Sequence, residues 1–60
     1  MKNTITKLEQ ILADLQESAV SCATKLVEQG YEEKVVSELH NIMHTISIIE
    51  DTIYAIKHIQ

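Results

Sequence analysis

Two apolar heptad stripes, separated by a single glycine, constrain this 60-residue chain more than any other feature. In each half, apolar residues recur at alternating steps of three and four. That spacing keeps one seam of a helix against a partner helix over many turns. The stripes contain Ile5, Leu8, Leu12, Leu15, Ala19, Cys22 and Leu26 in the first half, and Val35, Leu39, Ile42, Ile46, Ile49, Ile53 and Ile56 in the second. We therefore expect two long helices packed along their length.

The position of the turn follows from backbone chemistry. Gly30 is the only glycine and proline is absent, so one position alone can adopt a left-handed, helix-ending conformation without strain. The sequence predicts a single domain over residues 1–60. Helix one is expected at about 4–29, the turn at 30–31 and helix two at about 32–59.

Local signals suggest how helix one begins and ends. Thr6 followed by Glu9 has the spacing of a capping box, with Asn3 or Thr4 as an alternative cap one turn earlier. Behind the glycine, Tyr31 is expected to pack back on Leu26 or Val27, as in a Schellman motif.

More apolar residues are present than one seam can cover. They are Ile11, Val20, Val27, Val36, Met43, Ile48 and Ile59. Two helices cover only one face of each other, so a lone hairpin would leave these side chains in water. The predicted fold class is all-α: an antiparallel two-helix hairpin that assembles into an oligomeric helical bundle, with two hairpins as the minimum.

Composition excludes several classes of protein. The net charge is −4 and all five basic residues are lysines, which argues against nucleic-acid binding. Cys22 is the single cysteine and lies on the seam, so we expect a small buried side chain and no intrachain disulfide. A lone thiol fits a reducing compartment, and no signal peptide or membrane span is visible. The expected location is therefore cytoplasmic.

A polar stripe on helix two holds the residues that could carry chemistry: His40, His44, Ser47, Asp51, Tyr54 and His58. Metal binding would use His40 and His44, which are spaced as two ligands on one face. Acid–base catalysis would use His58 with Asp51 or Glu50, but a bare hairpin has no pocket that excludes water. The remaining interpretations are a solvated or interface face, and ligand binding where subunits meet. We predict a protein that is not an enzyme and has no catalytic residues, metal site or cofactor.

The hairpin geometry selects candidate ligand-binding residues. With the turn at Gly30, residue i lies beside residue 61 − i, which brings Lys57 and His58 toward Thr4 and Lys7. The predicted ligand-binding residues are Tyr54, Lys57 and His58 with Lys7, and secondarily Lys25, Tyr31 and Lys34 at the turn. Tyrosine can stack on a base, while lysine and histidine can bind phosphate. Tyr54 could equally be an interface aromatic with its hydroxyl in water.

The end of helix two resembles a known family. The run from Ile49 to Ile59 matches the ending of a hairpin family of small phage proteins in Glu50, Tyr54, Ala55, Ile56, Lys57 and Ile59. The resemblance covers about a fifth of the chain, with tyrosine where that family usually has tryptophan. Members of the family inhibit bacterial immunity by sequestering cyclic-nucleotide signals.

The resemblance implies a phage anti-defence protein that performs no chemistry and acts in the cytosol of the host cell. It would be a homo-oligomer that holds a cyclic di- or trinucleotide, or a cyclic ADP-ribose derivative, between subunits. One alternative is a protein-interaction module that inhibits or regulates a host protein. Another is an RNA-binding hairpin dimer, which the scarcity of basic residues disfavours.

Overall fold

The computed structural model describes residues 2–59 and shows two α-helices packed against each other as a hairpin. Helix α1 spans Lys2–Gln29 and helix α2 spans Glu33–Ile59. The described residues contain no strand, and the hairpin measures 45 × 14 × 12 Å, so it is one helix pair thick. Neither described helix combines the length and apolar character needed to cross a membrane. The predicted all-α hairpin is confirmed.

The seam between the helices is the one that the heptad pattern predicts. All fourteen residues of the two apolar stripes are buried or half-buried. Cys22, Leu26 and Ile53 are the most buried of the described residues. The Cys22 thiol donates to the carbonyl oxygen of Val35 across the seam, with Sγ and O 3.4 Å apart. The prediction of a small, buried Cys22 is therefore confirmed.

Gly30 ends α1 in the left-handed conformation that the sequence predicts, with φ of +93°. Its N–H donates to the carbonyl oxygen of Leu26 at 3.1 Å, the single bond of an αL motif. Glu32 is the N-cap of α2, since its carbonyl accepts the first helical bond from Val36. Tyr31 is 80% exposed, so the predicted packing of its ring is wrong. In an αL motif the apolar contact belongs to the C′ residue, which here has no side chain.

The helix starts differ slightly from the prediction. Helix α1 already includes Lys2, whereas its start was expected at about residue 4, and α2 begins at Glu33 instead of 32. Thr6 lies inside α1 and its hydroxyl donates to the carbonyl oxygen of Lys2 at 3.1 Å. This bond satisfies the hydroxyl within the helix, so the predicted capping box with Glu9 does not form.

The two edges beside the seam differ in chemistry. Residues seven apart share an edge. One edge of the hairpin, which we term the groove flank, carries Glu9, Gln16 and Ala23 on α1 and Val36, Met43, Glu50 and Lys57 on α2. The other, the back flank, carries Ile11, Ser18 and Lys25 on α1 and Glu38, Thr45 and Thr52 on α2. Most apolar side chains outside the seam lie on or next to the groove flank.

Candidate functional site

Three surface depressions follow one another along the groove flank. The largest, about 600 Å³, is lined by Gln16, Ala19, Val20, Ala23, Leu39, Met43, Ile46, Ser47 and Glu50. A second, of about 440 Å³, lies toward the turn beside Val20 and Val27. The third, of about 300 Å³, lies at the open end and is lined by Glu9, Leu12, Glu50, Ile53, Tyr54 and Lys57. We call the half of the hairpin next to Gly30 the turn half and the half at the opposite helix ends the open half. The groove flank is thus apolar in the turn half and polar in the open half.

At the open end, the structure places two of the predicted ligand-binding side chains in contact. The rings of Tyr54 and His58 stack with centroids 3.9 Å apart and planes 22° from parallel. Nδ1 of His58 lies 2.8 Å from the carbonyl oxygen of Tyr54, so a protonated Nδ1 donates to it. This bond leaves Nε2 for a ligand, and Nε2 donates to a phosphate when the ring is protonated. Tyr54 is 64% exposed, so a base could stack on the outer face of its ring.

Lys57, the third predicted residue of this group, contacts Glu9 of the facing helix. Its Nζ lies 3.5 Å from Oε2 of Glu9, with both side chains about half exposed. The 61 − i register predicts Thr4 opposite Lys57, about one helical turn away from Glu9. Side chains tilt toward the N-terminus of their own helix, which for α2 is toward the turn. Lys57 therefore reaches a residue of α1 that is nearer the turn.

Electrostatics at the open end oppose an anionic ligand within a single hairpin. The depression is lined by two carboxylates, Glu9 and Glu50, and by one ammonium group, that of Lys57. A phosphate that binds Lys57 must replace Glu9 and approach Glu50. Anion binding here therefore requires further positive charge or the loss of a carboxylate.

The other predicted ligand-binding residues lie elsewhere on the hairpin. Lys7 is two residues from Glu9 and thus about 200° around α1, on the side of the back flank. Lys25 and Lys34 also lie on or beside the back flank, near the turn. Tyr31 is exposed in the turn itself. Within one hairpin, the structure does not bring these four residues to Tyr54, Lys57 and His58.

The metal and acid–base interpretations gain no geometric support. Among residues 2–59, no three histidine, cysteine or acidic side chains are grouped as metal ligands. His40 and His44 are exposed one turn apart on α2. The contacts that the structure shows for the His58 ring are both with Tyr54.

Sequence reasoning did not place Glu9 or Glu50 among the ligand-binding residues, although both line the open-end depression. Glu9 and Lys57 occupy corresponding edge positions of the two heptad patterns. In an antiparallel pair these edges face each other, and oppositely charged residues there form interhelical ion pairs. The heptad assignment thus contained the signal for the contact between Glu9 and Lys57.

Comparison with known proteins adds no relative. No protein-family model, no curated protein and no solved structure matches this chain.

Proposed function

We propose that this protein is a non-enzymatic, phage-type anti-defence protein that sequesters a cyclic nucleotide. In this proposal several hairpins assemble in the cytosol, and the ligand binds where their open ends meet. The observation that carries the proposal is the open-end group, in which a stacked Tyr54–His58 pair adjoins the ammonium group of Lys57. Aromatic faces next to positive charge are what a nucleotide requires.

Each open-end residue has a distinct role in the proposed complex. The outer face of Tyr54 stacks on a base, and Nε2 of His58 donates to a phosphate oxygen. Lys57 exchanges its partner Glu9 for a phosphate. A second hairpin supplies the missing positive charge, and Lys7 is the lysine of the open half that a neighbouring subunit could contribute. Sequestration then needs only tight binding and enough copies of the protein.

The proposal is tested by thermal melting of the purified full chain with a panel of cyclic di- and trinucleotides and cyclic ADP-ribose derivatives. A ligand at about 100 times its dissociation constant stabilises a protein by about 2.7 kcal/mol per site. We expect one member of the panel to raise the melting temperature, while its linear counterpart does not. An unchanged melting temperature with every member would contradict the proposal.

Charge variants locate the site. Lys57→Ala is expected to weaken binding of that ligand at least tenfold, because a charge-assisted phosphate contact is lost. Glu9→Gln is expected to strengthen binding, because it removes the carboxylate that competes for Lys57. Lys34→Ala is the matched lysine variant at the turn. Isothermal titration calorimetry should distinguish the ligand affinities of the three variants. Equal losses of affinity for Lys57→Ala and Lys34→Ala would contradict a ligand site at the open end.

A second candidate function is binding to a host protein. The exposed apolar residues of the groove flank, such as Val20 and Met43, favour it, because a foreign amphipathic helix could pack there. This function predicts no response to the nucleotide panel and a hairpin that stays monomeric until its partner is added.

A further inference from the structure

We propose that the turn half of the groove flank is the surface on which a second copy of this chain docks, forming a four-helix bundle. This inference deepens the assembly proposed above by naming the surface and its occupant. It uses the depression of about 600 Å³ around Ala23 and Met43 and the adjoining one beside Val27. It does not depend on the identity of any ligand.

The hairpin exposes more surface than a compact protein of the same mass. A compact globular protein of 6.8 kDa exposes about 3950 Å². This hairpin exposes 4740 Å², about 800 Å² more, because it is only one helix pair thick. A standard protein interface removes about 800 Å² from each partner.

The core of a lone hairpin is too small to explain a stable fold. Among residues 2–59, only Cys22, Leu26 and Ile53 are buried, while most of the seam is half-buried. Chains of this size usually need a disulfide, a metal or further subunits. The single cysteine leaves no intrachain disulfide, and the described residues offer no group of metal ligands. A second copy is a partner that every molecule of this protein has available.

The shape of the flank suits contact with itself. A two-fold interface presents the same patch on both partners, so the patch must carry both ridges and hollows. Here the small side chains of Ala19 and Ala23 form the hollow, and the exposed side chains of Val20, Val27 and Met43 stand beside it. Ridges of one copy can fill the hollow of the other.

The back flank lacks these properties. In the turn half its edge carries polar or charged side chains at Ser18, Lys25 and Thr45, and its apolar residues, Ile11 and Ile59, lie toward the open end. The next position outward holds Ile48, which is 51% exposed and comparable with Met43 at 58%. Ile48 therefore offers a matched control for Met43 on the other side of α2.

The test is sedimentation equilibrium of the full chain at micromolar concentration. The wild type is expected to sediment as a dimer, at twice 6.8 kDa, or as a larger assembly built from such dimers. Met43→Glu is expected to raise the dimer dissociation constant at least tenfold, because it would bury an unpaired carboxylate. Ile48→Glu introduces the same charge outside the interface and is expected to leave the mass unchanged.

Circular dichroism of the wild type keeps the proposal testable if Met43→Glu fails to fold. Its melting temperature should rise with protein concentration, because docking stabilises the folded hairpin. A folded 6.8 kDa monomer whose melting temperature ignores concentration would overturn both the docking surface and the proposed assembly. If Ile48→Glu disrupts the oligomer and Met43→Glu does not, the docking surface is wrong while the assembly proposal survives.

Discussion

The turn half and the open half of the groove flank use the same heptad edges for different chemistry. In the turn half these edges hold Ala23 and Met43, and the depression between them is apolar. In the open half they hold Glu9 and Lys57, which pair across the seam. Equivalent positions in one repeat can therefore serve packing at one end and polar recognition at the other. The seam beneath both halves is continuous, so their difference lies in the surface side chains.

The largest expected loss of stability tests whether the seam stabilises both halves equally. Leu26→Ala removes a buried side chain under the turn half, and Ile53→Ala removes one under the open half. Each is expected to lower the free energy of unfolding by about 2–5 kcal/mol, measured by urea denaturation followed by circular dichroism. A loss confined to Leu26→Ala would show that the open half is not packed in solution.

An intermediate effect on stability is expected at the turn, which connects the two helices at the end of the turn half. Gly30→Ala should destabilise the hairpin by about 1–2 kcal/mol, because a side chain strains the left-handed conformation. Beyond its two chain neighbours, a Cβ at this position meets no atom within 4 Å, so the cost comes from the local backbone and not from a clash with the rest of the fold. Gly30→Asn is the control and should cost less, since asparagine tolerates this conformation. Equal losses for both variants, measured by thermal melting, would contradict this explanation.

The smallest expected effect concerns the ion pair of the open half. Lys57→Met keeps most of the aliphatic chain and removes the charge, and it should change the free energy of unfolding by less than about 1 kcal/mol. An exposed pair gains little because water and salt screen it. Urea denaturation in low and high salt checks this. A larger, salt-sensitive loss would mean that the pair holds the open end together.

The sequence predicts the seam well and the surface less completely. Heptad spacing identifies fourteen residues that pack between the helices, although Ala23 beside them is also half-buried. The single glycine identifies the turn, because both signals depend on local backbone geometry. The contact between Lys57 and Glu9 depends on side-chain tilt, which a register counted in whole residues does not include. Likewise, Thr6 resembles a cap in sequence but bonds within the helix, since nothing local to it requires the helix to begin there.

Sequence-based prediction of the candidate site is limited in the same way. Sequence reasoning groups seven residues by type, whereas the fold places Tyr54, Lys57 and His58 together and sends the four others to the turn or toward the back flank. Helical rotation separates Lys7 from Glu9 by about 200° over two residues.

The two helices are joined covalently only at the turn that contains Gly30, so their opposite tips are held together by non-covalent contacts alone. The ion pair of Lys57 and Glu9 adds little to that hold, since it is exposed. The apolar contacts around Ile53 therefore decide how closely the tips stay together, and amide hydrogen exchange should be fastest where those contacts end.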